Sequence, residues 1–111
     1  MTKAKFSYQN HDFHTFEISG HADYNEEGLD IVCAGISATV ITSLNLLMKL
    51  IGHSYKFNEN QEEGYMHFEV TAYNFDQETK DFMNLVVSNL IESLQEIEEM
   101  YPNHLKVKIE K

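Results

Sequence analysis

A cysteine and a histidine lie twelve positions apart in the stretch GHADYNEEGLDIVCAGIS, which spans residues 20–37. Cys33 is the only cysteine in the chain, and an acidic segment that contains glycine separates it from His21. A thiol reacts as its thiolate, and its free pKa of about 8.5 leaves little thiolate at neutral pH. An imidazolium can pair with the thiolate and later protonate a leaving amine. The two residues therefore have the chemistry of a cysteine nucleophile and its general base.

The apolar run that follows Cys33 predicts a helix from about residue 33 to residue 51. A helix start offers free backbone N–H groups and the positive end of the helix dipole, and both favour an anion such as a thiolate. The N–H groups near Ala34 and Gly35 are then candidates to bind the oxyanion of a tetrahedral intermediate. Ser37 lies one turn after Cys33 on the same helix face, where it could donate to the substrate or to the thiolate.

Residues 22–32 are predicted to form a loop between the two reactive side chains. Gly28 is a candidate hinge in it, and the position of the loop favours a mobile lid over the site. Asp30 could orient His21 or simply cap the helix, and the spacing does not choose between these roles. Gly20 is predicted to end a strand, which would place His21 at the strand terminus.

On residue types alone, the structural explanation of Cys33 is the stronger one. A single cysteine in an apolar segment is more often a small buried hydrophobe than a nucleophile. One cysteine with scattered histidines also lacks the spacing of a zinc site, and no glycine pattern of a phosphate or dinucleotide loop is present. We therefore expect no metal and no cofactor.

The remaining pattern predicts the order ββαββαβ. Two alternating segments form each of two hairpins, and His14, Phe16 and Ile18 are predicted to share one face of the second strand. A last alternating segment follows a second helix, whose predicted apolar stripe is Phe82, Val86, Leu90, Leu94, Ile97 and Tyr101. This predicts an α+β fold, with a largely antiparallel or mixed sheet and two helices packed on one face. The helix that follows Cys33 has one apolar stripe, formed by Ile36, Val40, Leu44, Leu47 and Ile51, and a second stripe formed by Ala34, Ile41 and Met48. Part of this wide apolar surface could face a second subunit.

Composition limits the possible partners and compartments. The 111 residues suit a single domain, 1–111, and one cysteine implies no oxidising compartment. Eight basic residues, none of them arginine, against 18 acidic residues give a net charge of −10, which argues against direct nucleic-acid binding and suits a basic partner. The N-terminus resembles no signal peptide and no apolar run approaches membrane-spanning length, so we expect a cytoplasmic protein with no membrane contact.

The stretch 20–37 resembles the signature of the ribosomal-processing cysteine proteases, the Prp family. The shared pattern is Gly-His-Ala, a short acidic loop with a glycine, then Asp-Ile-Val-Cys-Ala-Gly and a serine. Carried over residue by residue, the resemblance places the family's nucleophile on Cys33 and its base on His21. The pattern's other fixed positions are matched by Gly20, Asp30 and Ser37.

The resemblance implies a cysteine endopeptidase that acts in bacterial ribosome assembly. Family members remove a short N-terminal extension from a large-subunit ribosomal protein, the twenty-seventh, after a pair of bulky apolar or aromatic residues. They are homodimers in which the segment between histidine and cysteine is a flexible loop over the site. Two other hypotheses remain open at this point: a non-catalytic ribosome-assembly binding module, and another cysteine-dependent hydrolase or transferase.

Overall fold

The computed structural model describes residues 1–20 and 29–111, with the side chains of residues 29 and 30 outside that description. The elements are β1 (Thr2–Gln9), β2 (Asp12–Ser19), α1 (Leu29–Ile51), β3 (Tyr55–Asn60), β4 (Tyr65–Val70), α2 (Gln77–Met100) and β5 (Leu105–Glu110). The predicted order ββαββαβ is therefore confirmed.

The five strands form one mixed sheet in the order β3-β4-β2-β1-β5. Strand β5 runs parallel to β1, and the other neighbouring pairs are antiparallel. The register aligns Phe57 with Phe68, Phe68 with Phe16 and Phe16 with Phe6, so a row of aromatic side chains crosses four strands on one face. Three of them, Phe6, Phe16 and Phe68, have no solvent exposure. A slip of one residue in any of these strands would turn its apolar side chains towards solvent, and burial therefore fixes the register.

Both helices contribute to the core that covers this face of the sheet. The predicted stripe of α1 is buried at every position, namely Ile36, Val40, Leu44, Leu47 and Ile51. The second predicted stripe behaves differently, because Ala34 and Ile41 are exposed and Met48 is only partly buried. Helix α1 is thus buried on one side within this chain.

Two expectations about side-chain direction are wrong by one residue. Phe13 is buried in place of His14, because the β1–β2 register shifts between Ser7 and Tyr8 and an irregularity there adds a residue to β2. In α2 the predicted stripe began at Phe82, which is 50% exposed, whereas Met83 is fully buried.

A polar cluster ties α2 to the start of β2. The side chain of Asn84 accepts a hydrogen bond from the Phe13 N–H at 2.9 Å and donates to a carboxylate oxygen of Asp12 at 3.0 Å. The Tyr73 hydroxyl donates to the Phe13 carbonyl at 2.6 Å. Burial, with the carboxylates of Asp12 and Glu69, raises the pKa of Tyr73 to about 12. The phenol therefore remains a hydrogen-bond donor throughout the physiological range.

One expectation about membranes also needs correction. The segment Ile31–Ile51 of α1, 21 residues long with a mean hydropathy of 1.9, is long and apolar enough to cross a membrane by length and composition alone. A core helix passes the same test, and Leu44, Leu47 and Ile51 in this segment do pack in the core.

Candidate active site

Cys33 lies inside helix α1, not at its start. The helix begins at Leu29, so Cys33 is its fifth residue and is half-buried. The physical reason is Val32, which is only 4% exposed and extends the buried stripe of Ile36 and Val40 by one turn towards the N-terminus. The prediction of a loop over residues 22–32 is therefore wrong from residue 29 onwards.

This helix start changes the expected oxyanion site. Only the N–H groups of the first turn of a helix lack intrahelical partners. Ala34 and Gly35 are the sixth and seventh residues, and their N–H groups point to carbonyls one turn earlier. Their place inside α1 gives both N–H groups intrahelical partners, and their role as oxyanion donors stays a prediction.

Asp30 is the second residue of α1, so it lies inside the helix and is not the N-cap. Its side chain falls outside the described residues, and an orienting contact with His21 stays a prediction. His21 and Gly28 also lie outside the described residues, so the Cys33–His21 pair and the lid stay predictions as well.

A cavity of about 350 Å³ opens beside Cys33. This volume is within the range of small-ligand pockets, about 300–1,000 Å³. On the helix side the cavity is lined by Cys33, Ile36, Ser37, Val40 and Ile41. Cys33 and Ser37 thus contribute to one cavity wall, as their spacing of four residues predicted.

The strand side of the cavity is formed where four strands end together. Strand β2 contributes Ile18, the start of β4 contributes Tyr65 and Met66, and the end of β3 contributes Glu59. Thr2, at the start of β1, completes this wall. The described lining is largely apolar, and its polar side chains, apart from the thiol, are those of Thr2, Ser37, Glu59, Gln61 and Tyr65. Such a lining suits an apolar side chain attached to a polar backbone.

Gly20 follows the last residue of β2 and lines this cavity. The strand ends at Ser19, and Gly20 has φ +100°, a conformation that side chains rarely adopt. A Cβ atom at residue 20 would also overlap the carbonyl oxygen of Met1. Backbone conformation and close approach therefore both require glycine immediately before His21, and the predicted strand end at Gly20 is confirmed.

Sequence reasoning missed the part of the site contributed by the β3–β4 hairpin. Its alternation predicted a half-buried strand and indicated nothing about Cys33. Only the strand order, which places β4 beside β2, brings Glu59, Tyr65 and Met66 to the cavity.

Within the described part of the chain, no group of three histidine, cysteine, aspartate or glutamate side chains could hold a metal ion. Among the described lining residues, the nucleophilic groups at this cavity are the Cys33 thiol and the hydroxyl of Ser37, one helical turn away.

Comparison with known proteins decides the family. The family model described as cysteine protease Prp matches residues 1–106. The chain belongs to the Prp family. It is therefore a cysteine peptidase of the ribosomal-processing Prp type, and this decides against the non-catalytic alternative.

Two curated relatives agree with this assignment. The ribosomal processing cysteine protease Prp of Bacillus subtilis is 34% identical over 93 residues, which cover 84% of this chain and 82% of the relative. The protein of the same name from Staphylococcus aureus (strain Mu50) is 33% identical over 90 residues, which cover 81% and 80%.

Solved structures agree in fold. The crystal structure of the essential ribosomal processing protease Prp from S. aureus with a substrate peptide superposes with a TM-score of 0.80 at 26% identity, covering 99% of this chain and 100% of that one. A second structure of that protease, with a covalently linked product peptide, gives 0.79 at 28% identity, again covering 99% and 100%. The structure of SMU.848 from Streptococcus mutans gives 0.82 at 23% identity and covers 99% and 94%, which supports the fold alone.

Proposed function

We propose that this Prp-family peptidase removes the N-terminal extension of a bacterial large-subunit ribosomal protein, the twenty-seventh, during ribosome assembly. The observation that carries the proposal is the position of Cys33, the only thiol of the chain, in the wall of a largely apolar cavity. The names of the relatives supply the ribosomal context, and a related protease has been crystallised with a substrate peptide.

In this proposal Cys33 is the nucleophile and His21 is the general base and acid. His21 takes the thiol proton, and the thiolate attacks the carbonyl carbon of the scissile peptide bond. The carbon–nitrogen bond then breaks, the leaving amine takes the proton from His21, and the peptide remains on sulfur as a thioester. Water attacks the thioester while His21 accepts a proton from it, and that proton returns to the Cys33 sulfur as the carbon–sulfur bond breaks. The product leaves as a carboxylic acid and loses its proton to solvent.

The cavity fits the side chain that the resemblance places before the scissile bond. Ile18, Ile36, Val40 and Met66 provide the apolar surface that would desolvate a bulky apolar or aromatic side chain. This binding would hold the scissile carbonyl beside the sulfur and so lower the entropic cost of attack.

The deciding experiment incubates the purified protein with a peptide that spans the extension and its junction, and identifies the products by mass spectrometry. Wild type should cut once, after the apolar pair, and Cys33→Ala should not cut while it retains its circular dichroism spectrum. Ser43→Ala, a small substitution on the same helix that does not line the cavity, is the control and should cut normally. Cleavage by Cys33→Ala would refute Cys33 as the nucleophile.

The role of His21 has its own readout. Cys33 is the only cysteine, so alkylation by iodoacetamide reports on this thiol alone. If His21 pairs with the thiolate, Cys33 should alkylate near neutral pH faster than glutathione, and His21→Ala should slow it. Equal rates in wild type and His21→Ala would remove His21 from the mechanism.

We further propose that the protein acts as a homodimer in the cytoplasm. The supporting observation is the apolar strip of exposed residues along α1, namely Ile31, Ala34, Ala38 and Ile41. If this strip packs against a second copy, Ala38→Glu should lower the mass measured by light scattering to that of a monomer. Gln95→Glu adds the same charge at an exposed position of α2 and should not change it. Cell fractionation tests the cytoplasmic location. Recovery of the protein in the membrane pellet would contradict it.

A further inference from the structure

The cavity beside Cys33 carries one negative charge that the proposed mechanism does not use. Glu59, at the end of β3, is the only side chain with a formal charge at neutral pH among the described residues that line this cavity. No lysine and no histidine belongs to that described lining. The part of the cavity wall formed by the described residues is therefore negatively charged.

A neutral partner positions the Glu59 carboxylate. The Gln61 side-chain amide donates a hydrogen bond to it at 3.0 Å, and Gln61 lines the same cavity. Among the ion pairs formed by the described residues, none includes Glu59. The hydrogen bond orients the carboxylate without neutralising it, so its charge remains available to a ligand.

This charge does not help the nucleophile. A carboxylate near a thiolate raises the thiol pKa by like-charge repulsion, which disfavours the reactive form. The same charge favours a cationic group of the substrate that enters the cavity with the scissile bond. The carboxylate therefore fits substrate selection better than thiol activation.

The size of the cavity limits where that cation can lie along the peptide. A sphere of 350 Å³ is about 9 Å across, and an extended peptide advances ~3.3 Å per residue. An extended chain therefore crosses the cavity in about three residues.

We propose that Glu59 is a specificity-determining residue that selects substrates with a lysine or arginine within about three residues of the scissile bond. This rests on the proposed peptidase function and adds a second requirement to the apolar side chain. The β3–β4 hairpin is then the selective wall of the site, with Tyr65 and Met66 facing the apolar group and Glu59 the cation.

The test uses a set of cleavable peptides that differ at one position. Each of the three residues on either side of the scissile bond is made lysine, glutamine or glutamate in turn, and kcat/KM is measured by mass spectrometry. At one or more positions wild type should prefer lysine to glutamine by about two- to fivefold, the range expected for an exposed ion pair, because Glu59 is exposed. Glu59→Gln should bring this ratio close to one, and Glu59→Lys should favour the glutamate peptide.

Glu63→Gln is the matched control. Glu63 lies in the turn of the same β3–β4 hairpin but does not line the cavity, and its replacement by glutamine changes the net charge equally. It should preserve the lysine preference. An equal loss of preference in both variants would overturn the proposal, because the preference would then come from the net negative charge of the protein and not from Glu59. A wild type that does not distinguish lysine from glutamine would also overturn it.

A wild type that cuts none of the peptides would refute the proposed function separately. The selectivity is then measured as binding to Cys33→Ala by fluorescence anisotropy. The lysine peptides must still bind about two- to fivefold more tightly than the glutamine peptides, and Glu59→Gln in that background must remove the difference. Equal binding would overturn the role of Glu59.

Discussion

Replacing Gly20 by alanine tests the strand end that leads to His21. At φ +100° an alanine is strained by about 1–3 kcal/mol. Alanine has fewer backbone conformations than glycine in the unfolded chain, and this lower entropy of the unfolded state offsets about 0.4–1 kcal/mol of the strain. The new Cβ would also overlap the Met1 carbonyl oxygen, so the start of β1 must move. That movement weakens the hydrogen bond from the Thr2 N–H to the His104 carbonyl, 3.0 Å long, at a cost of about 0.5–1.5 kcal/mol. We expect Gly20→Ala to lose about 2–3 kcal/mol of unfolding free energy.

Gly52→Ala is the matched control for this substitution. Gly52 also has positive φ, +64°, but a Cβ there would meet no atom within 4 Å. The left-handed conformation alone should cost under about 1 kcal/mol after the same unfolded-state offset. The chain has no tryptophan, so urea unfolding is best followed by circular dichroism. If Gly20→Ala loses no more stability than Gly52→Ala, the close approach of Met1 does not restrict residue 20 and the reasoning fails.

Three further predictions concern the scaffold. Leu47→Ala should cost about 3 kcal/mol of unfolding free energy, because Leu47 has no solvent exposure. Leu46 is 51% exposed, so Leu46→Ala should cost under about 0.5 kcal/mol. Equal losses in urea unfolding would contradict the burial of Leu47 in the core. Asn84→Ala should cost about 2 kcal/mol, because the Phe13 N–H loses its acceptor, and an unchanged unfolding midpoint would refute that contact. The pKa of Tyr73 is raised from 10.0 to about 12 in the folded state, so its contribution is complete below pH 10 and is lost as the pH rises through 12. Wild type should therefore lose about 1 kcal/mol more than Tyr73→Phe over this range, after a discount for partial exposure, and parallel pH profiles would contradict the shift.

The amino-acid pattern determines most of the fold. The spacing of Ile36, Val40 and Leu44 predicts the buried face of α1, and the alternation of the strands predicts which face of the sheet is covered. These features follow from sequence because one residue type repeated at a fixed period places its side chains on one side of an element.

Boundaries and irregularities do not follow from the same pattern. The pattern placed the start of α1 at Cys33, and the structure places it at Leu29 because Val32 packs against the core. The buried position of Phe13 depends on an extra residue in β2, which alternation alone does not show. In both cases tertiary packing outweighs the local signal.

For the candidate site, the sequence by itself determined the thiol, its helix neighbour Ser37 and the strand end at Gly20. All of these lie in one continuous stretch, and short-range spacing is enough to relate them. Only the tertiary structure decided what Cys33 faces. Strand pairing is non-local, so a sequence pattern shows which side chains share a face but not which strand lies beside another. The order β3-β4-β2-β1-β5 brings the β3–β4 hairpin, with Glu59 and Tyr65, to the cavity of a thiol that precedes it by more than twenty residues.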